Sequence, residues 1–148
     1  MSAPRQRGFT LVELVVTIAL LAILTTLAAP SFAELLRQWR RDSATRELTT
    51  SLQLARTEAI KSSRQLMVCP STNQTSCTAS NEWNTGWIVF VDDGAGTVAN
   101  ANNQTYNTNE RVLKAASAQS GTASMVSPGV QWMVFLPNGI MRTGTGTG

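Results

Sequence analysis

One apolar run decides most of what this chain can become. From Phe9 to Ala29 the sequence reads FTLVELVVTIALLAILTTLAA, and Glu13 is its only charged residue. As a helix rising about 1.5 Å per residue, the run reaches roughly 31 Å, enough to cross a hydrocarbon core. The leader before it, MSAPRQRG, carries Arg5 and Arg7 and no acid. A secretory signal peptide is the first alternative. It fits poorly, because the run is long for one and no small-residue cleavage site leads to an obvious mature start. The sequence passes instead into an amphipathic helical pattern.

Composition narrows the chemistry. The chain has 148 residues, room for one compact domain and an appendage. Charged residues make up 14% of it, with 12 Lys+Arg against 9 Asp+Glu. It has no histidine, which excludes Ser-His-Asp and Cys-His catalysis and every His-ligated zinc site. Its two cysteines cannot build a four-thiolate metal site or an iron–sulfur cluster within one chain. No paired carboxylates or nucleophile elbow stand out, so an enzyme is not expected, and neither a cofactor nor a metal is called for.

Glu13 is the oddity of the apolar run. A carboxylate that deep in an apolar helix costs on the order of 3 kcal/mol on insertion scales, so it needs a partner or must reach back to the headgroups. The order Gly8-Phe9-Thr10-Leu11-Val12-Glu13, after a basic leader and before an unbroken apolar helix, resembles the type IV prepilin class 3 signal. The resemblance implies cleavage between Gly8 and Phe9 by a prepilin peptidase and methylation of the new Phe9 amine. It also implies that Glu13 pairs with the N-terminal amine of a neighbouring subunit and sets the register between packed helices. A buried carboxylate and ammonium satisfy each other, which gives that role a physical basis. Pro30 matches a position where the family's helix kinks. Proline there removes a backbone hydrogen bond and clashes with the preceding turn, so a bend is expected locally too. Charge alone leaves topology open, because Arg37, Arg40 and Arg41 lie just past the far end of the span. The prepilin signal and the cysteines together favour an inner-membrane, single-pass chain with its N-terminus cytoplasmic and its head periplasmic.

Residues 30–63 read as an amphipathic helix leaving the membrane. Phe32, Leu35, Leu36 and Trp39 fall at i, i+3, i+4 and i+7, and Leu48, Leu52, Ala55 and Ala59 continue the stripe. Glu58 with Lys61, and Asp42 with Arg46, are spaced as helical surface pairs. The cluster Arg37, Arg40 and Arg41 reads as the solvated, headgroup-facing side of the helix rather than as a nucleic-acid patch.

From residue 64 onward the composition turns to Thr, Ser, Asn, Gly and β-branched residues, which marks a β-rich head over 64–148. Strands are expected over Gln65–Cys69, Gly86–Val91, Arg111–Ala115, Val130–Leu136 and Gly139–Arg142, the last after a Pro137-Asn138-Gly139 turn. Polar loops are expected over 71–82 and 94–109, with Asn100–Asn109 too polar to bury. Trp83, Trp87, Phe90, Trp132 and Phe135 read as core against the helix stripe. Cys69 and Cys77 are expected to bridge in an oxidising compartment, since a redox pair would need CxxC spacing and a basic activator. Closing so short a loop adds roughly 2.5 kcal/mol in the chain-entropy model. TGTGTG over Thr143–Gly148 reads as a flexible tail rather than a phosphate-binding loop. Asp92-Asp93-Gly94 reads as a turn rather than a calcium site.

Three further segments sharpen the resemblance: Leu54–Lys61 (LARTEAIK), Val68–Ser71 (VCPS) and Trp83–Asp92 (WNTGWIVFVD). With the closing Val134–Gly139 (VFLPNG) and the prepilin signal, the chain resembles the GspH/FimT family of type IV minor pilins and type II secretion pseudopilins. The proline and serine after Cys69 and the second cysteine resemble the FimT side. The implied fold is α+β, type IV pilin-like: one long N-terminal helix packed on an antiparallel β-sheet head. The implied role is a non-catalytic subunit in pilus assembly or at the tip. Its implied partners are other major and minor pilins or pseudopilins, the prepilin peptidase and the inner-membrane assembly platform. FimT-type proteins include members that bind double-stranded DNA for uptake through a C-terminal GRxR motif. Here the corresponding residues are Gly139-Ile140-Met141-Arg142, so Arg142 is the DNA contact the resemblance implies and Ile140 replaces the first arginine. The head carries Arg111, Lys114 and Arg142 against Glu82, Asp92, Asp93 and Glu110, which is not a basic balance.

Overall fold

The structure, a computed structural model, describes residues 8–94, 101–107, 109–121 and 124–146, the side chains of 27–30 excepted. Arg5 and Arg7 of the leader, the Pro30 side chain, residues 95–100 of the second polar loop and Thr147 and Gly148 lie outside the described residues. The chain divides into two compact units, Met1–Gln38 and Trp39–Gly148. One helix, α1 (Leu11–Ser62), runs through both.

In the first unit the helix begins at Leu11 because Thr10 takes the cap. The Glu13 N–H donates to Thr10 Oγ1 at 3.2 Å and the Leu14 N–H to the Thr10 carbonyl at 3.2 Å. Beyond the cap the side chains are apolar all round and exposed all round, from Leu11 through Leu24. Three threonines interrupt the run without leaving a free hydroxyl. Thr17, Thr25 and Thr26 donate back to the carbonyls of Leu14, Ala22 and Ile23 at 2.7–2.9 Å. Among the described residues no single helix is long and apolar enough to cross a membrane. Leu11–Thr26 and Ser31–Ser62 meet that requirement only together, as a bent pair.

In the second unit the helix lies on a five-stranded antiparallel sheet ordered β3-β2-β1-β4-β5. The strands are β1 (Leu66–Pro70), β2 (Trp87–Val91), β3 (Val112–Ala116), β4 (Trp132–Phe135) and β5 (Met141–Gly144). Each falls within two residues of its expected place. The exception in substance is β5, which takes in Thr143 and Gly144, the start of the expected flexible tail. Those residues pair with Met133 and Trp132, so the hairpin's register, rather than composition, decides their state.

The helix meets the sheet through small side chains. Ala44, Ser51, Ala55 and Ala59 are fully buried, with Leu48 and Leu52 beside them. Close approach leaves room for Trp83, Trp87 and Phe135, together with Leu66, Val68, Val89 and Val91. Each fully buried large side chain of this kind contributes about 1.5–3 kcal/mol. Trp87 also carries a polar end, and its indole N–H donates to Ser51 Oγ at 2.9 Å inside the interface. Ser51 in turn donates to the Glu47 carbonyl at 2.8 Å. The stripe's other half differs: Phe32, Leu35, Leu36 and Trp39 are exposed, Trp39 by 73%. Glu58 and Lys61 pair at 3.7 Å. Asp42 and Arg46 form no ion pair among the described residues; with Trp39 and Ser43 they line a shallow surface hollow.

The opposite face of the sheet is also buried, which corrects the expectation of one core. Met67, Cys69, Ile88 and Phe90 form a second cluster, with Cys77, Tyr106, Val112 and Trp132 packed against it. Phe90 and Trp132 therefore sit away from the helix. Both central strands read as unbroken apolar runs, LMVCP and WIVFV, because both of their faces are covered. Two polar loops supply the cover. The first is folded by Asn73, whose Oδ1 accepts the N–H groups of Thr75 and Ser76 at 3.0 and 2.9 Å, and the Cys69–Cys77 disulfide ties it to β1. The second, expected to be too polar to bury, has no buried residue among 101–107 and 109, but it sets Tyr106 edge-on to Phe90 with ring centroids 5.1 Å apart.

Two buried carboxylates shape that second loop. Asp92 accepts the Asn103 and Gln104 N–H groups at 3.2 and 2.9 Å, and Glu110 accepts those of Gly94 and Asn107 at 2.7 and 2.8 Å. Burial pushes the Asp92 carboxyl above its ordinary range; the Gln104 N–H opposes the rise and the Glu110 charge adds to it.

Two outcomes are expected. Ser51→Ala leaves the buried Trp87 N–H without its acceptor and lowers stability by about 1–3 kcal/mol, read by urea unfolding of the full chain in detergent. A carboxyl with a raised folded pKa stabilises most below its unfolded value, and that contribution is lost as pH rises through the folded one. Wild-type stability relative to Asp92→Asn should therefore fall as pH rises from below 3.8 toward neutrality, measured by the same unfolding at a series of pH values.

Candidate assembly surface

The start of the described chain is exposed and lies outside the helix. Gly8, Phe9 and Thr10 precede the helix without regular structure; all three are exposed, Phe9 by 80%. The Gly8–Phe9 bond thus lies outside the capped turn, and cutting it breaks no helical hydrogen bond. Among the described residues no neighbouring atom lies within 4 Å of where a Gly8 Cβ would stand. Glu13 follows on the first turn, exposed, and among the described residues nothing within the chain pairs with its carboxylate. Its position near the helix N-terminus favours the negative charge locally. Its neighbours Val12, Leu14 and Val16 are exposed apolar side chains.

Cys69 and Cys77 are joined, with their Cα atoms 5.6 Å apart. Cys69 is buried on the outer face of β1, so the bridge clamps the first polar loop over Met67 and Trp132. The acidic triplet is spoken for: Asp92 takes backbone donors, Asp93 pairs with Arg64, and Gly94 donates to Glu110.

At the other end of the sheet, the β4–β5 hairpin turns as expected through Pro137-Asn138-Gly139. The Gly139 N–H donates to the Leu136 carbonyl at 2.8 Å, and the Leu136 N–H donates to the Ile140 carbonyl at 2.9 Å. Gly139 holds a φ of 78°, the left-handed conformation this bulged turn requires. A Cβ there would stand 3.0 Å from Ile60 Cδ1 and 3.5 Å from Arg56 Nε. The turn therefore rests on the helix, and it brings Arg56 and Ile60 beside the residues that sequence comparison singled out. Both residues belong to the LARTEAIK segment that carries the resemblance, but nothing in the sequence places them at the hairpin; only the Pro-Asn-Gly turn hints at a close approach.

Arg142 lies in β5 opposite Val134, exposed, with no ion-pair partner among the described residues. Lys114 lies in β3, at the far edge of the sheet. The head's cations thus do not form one patch. Its acids are nonetheless largely withdrawn from the surface, since Asp92 and Glu110 are buried and Asp93 is paired.

Comparison with known families accounts for both ends of this arrangement. The model of the type II transport protein GspH matches residues 44–148, the helix–sheet unit almost in full. The model of the prokaryotic N-terminal methylation motif matches residues 3–29, the segment holding Gly8, Phe9 and Glu13. No curated protein and no solved structure matches the chain. A methylation-type N-terminus leading through one helix into a GspH head makes this chain a member of the GspH/FimT-type pilin family.

Proposed function

We propose that the chain is a minor pilin of a type IV pilus, a non-catalytic subunit used in pilus assembly or at the pilus tip. One observation carries the proposal: an exposed apolar helical segment whose single charge, Glu13, has no partner among the described residues. Such a surface is stable only in lipid or among other helices, and a filament subunit meets both in turn. Prepilin peptidase cuts between Gly8 and Phe9, and the Phe9 amine is methylated. The helix waits in the inner membrane, N-terminus inward and disulfide-bonded head in the periplasm, until the assembly platform extracts it. In the filament the Glu13 carboxylate meets the Phe9 ammonium of a neighbour in a low-dielectric setting, where a matched pair is held and a mismatched one is penalised. Pro30 lets the helix bend to follow its neighbours. A pseudopilin of a type II secretion system would use the same chemistry; the two are told apart by which filament contains the chain.

In cells that make the protein, the mature form should lack residues 1–8 and carry one added methyl group, read by intact mass. Gly8→Val should keep the leader attached. Glu13→Val should be cleaved and stay in the membrane, but disappear from the sheared filament fraction. Incorporation of Glu13→Val at the wild-type level would overturn the proposal.

A second reading, contact with double-stranded DNA through Arg142, is favoured by that residue's exposed guanidinium, unpaired among the described residues, and by the burial of Asp92 and Glu110. It requires an affinity that falls with salt and falls again with Arg142→Ala, measured by fluorescence titration of the detergent-solubilised chain. An affinity indifferent to Arg142→Ala removes this reading.

A further inference from the structure

Among the described residues no strand pairs with the outer edge of β5, and its surroundings have a definite chemistry. β5 is the last strand of the sheet, and its residues Met141, Arg142 and Thr143 are exposed. The Leu136–Ile140 hydrogen bond sets the alternation of the hairpin. Val134 and Arg142 face each other as a bonded pair, while Phe135 with Met141 and Met133 with Thr143 are non-bonded pairs. The main-chain N–H and C=O groups of Met141 and Thr143 are therefore directed away from β4, toward the place of a sixth strand.

Around that edge lie exposed apolar side chains: Ile140 at 54%, Met141 at 48% and, on the helix under the turn, Ile60 at 52%. Two arginines flank them, Arg56 on the helix side and Arg142 on the opposite face. Among the described residues neither has an ion-pair partner, and Glu58 on the same helix is engaged by Lys61. A strand added at β5 sends successive side chains to alternate faces. An acidic residue on either face of it would then meet a guanidinium, and apolar residues would meet Ile60, Ile140 or Met141.

We propose that the β5 edge is a docking site for an extended, acid-bearing segment of a neighbouring filament subunit, which joins the sheet by strand addition. This rests on the filament-subunit reading above. A protein strand fits better than a nucleic acid. The centre of the patch is apolar, the open backbone groups need backbone partners, and the two guanidinium groups lie on opposite faces of the sheet. A phosphate backbone would need them on one.

The test uses the full chain in producing cells, with a photo-crosslinking phenylalanine analogue at position 140. Irradiation should join it to another pilin-type subunit, identified by mass spectrometry of the cross-linked peptides. Two variants should abolish that product. Thr143→Pro removes only an outward N–H, which an edge strand tolerates. The double change Arg56→Glu with Arg142→Glu reverses the rim charge at exposed positions. Thermal unfolding of each variant in detergent should match that of the parent; if Thr143→Pro does not fold, the charge-reversed chain decides. A cross-link to nucleic acid overturns the proposal in favour of DNA contact. A chain present in the sheared filament without a cross-link, or with one undiminished by charge reversal, overturns this proposal alone. Absence of the wild-type chain from every filament fraction overturns the filament reading beneath it.

Discussion

The head of this protein is organised around one constraint: a sheet with two apolar faces and a single helix to cover one of them. The central strands β1 and β2 are buried on both sides throughout. On the helix side, burial is achieved with small residues, Ala44, Ser51, Ala55 and Ala59, that let the helix sit close to Trp83 and Trp87. Close contact traps an indole N–H, and the Ser51 hydroxyl answers it. The polar bond thus follows from the apolar packing, and it fixes where along the helix the sheet must lie.

On the other face no second helix lies among the described residues, and loops do that work. A loop is a poor cover, since its backbone polar groups must be satisfied wherever it shields apolar surface. Two devices solve this. The Cys69–Cys77 bridge, with the turn folded by Asn73, holds one loop in place. The buried carboxylates of Asp92 and Glu110 collect the backbone N–H groups of the other, and let Tyr106 reach Phe90. The Asp92-Asp93-Gly94 segment, read in sequence as a turn rather than a calcium site, supplies acceptors for the chain's own amides at Asp92 and for Arg64 at Asp93.

The first unit is under the opposite constraint. Its helix bonds even the Thr17, Thr25 and Thr26 hydroxyls internally, and among the described residues leaves its apolar side chains exposed and the Glu13 carboxylate unpaired. That is what a membrane segment and a filament core both demand, because in neither does water supply missing hydrogen bonds. The family assignment gives this asymmetry its meaning: pilin-type subunits are built to be completed by their neighbours.

The sequence alone determined the features that are local or periodic. The apolar run, its lone Glu13, the helical stripe, the Pro-Asn-Gly turn and the existence of all five strands are written within short windows of residues. The methylation motif and the GspH pattern are likewise linear. Tertiary structure alone decided which residues meet across long separations. It assigned Phe90 and Trp132 to a second core, set Tyr106 of a polar loop against that core, and drew Thr143 and Gly144 into a strand. It also set Arg56 and Ile60 beside the hairpin that carries Arg142. The physical reason is common to all of these. Period and composition report how a segment would be buried, but which surface buries it depends on sheet order and register, and those are fixed only when the whole chain packs.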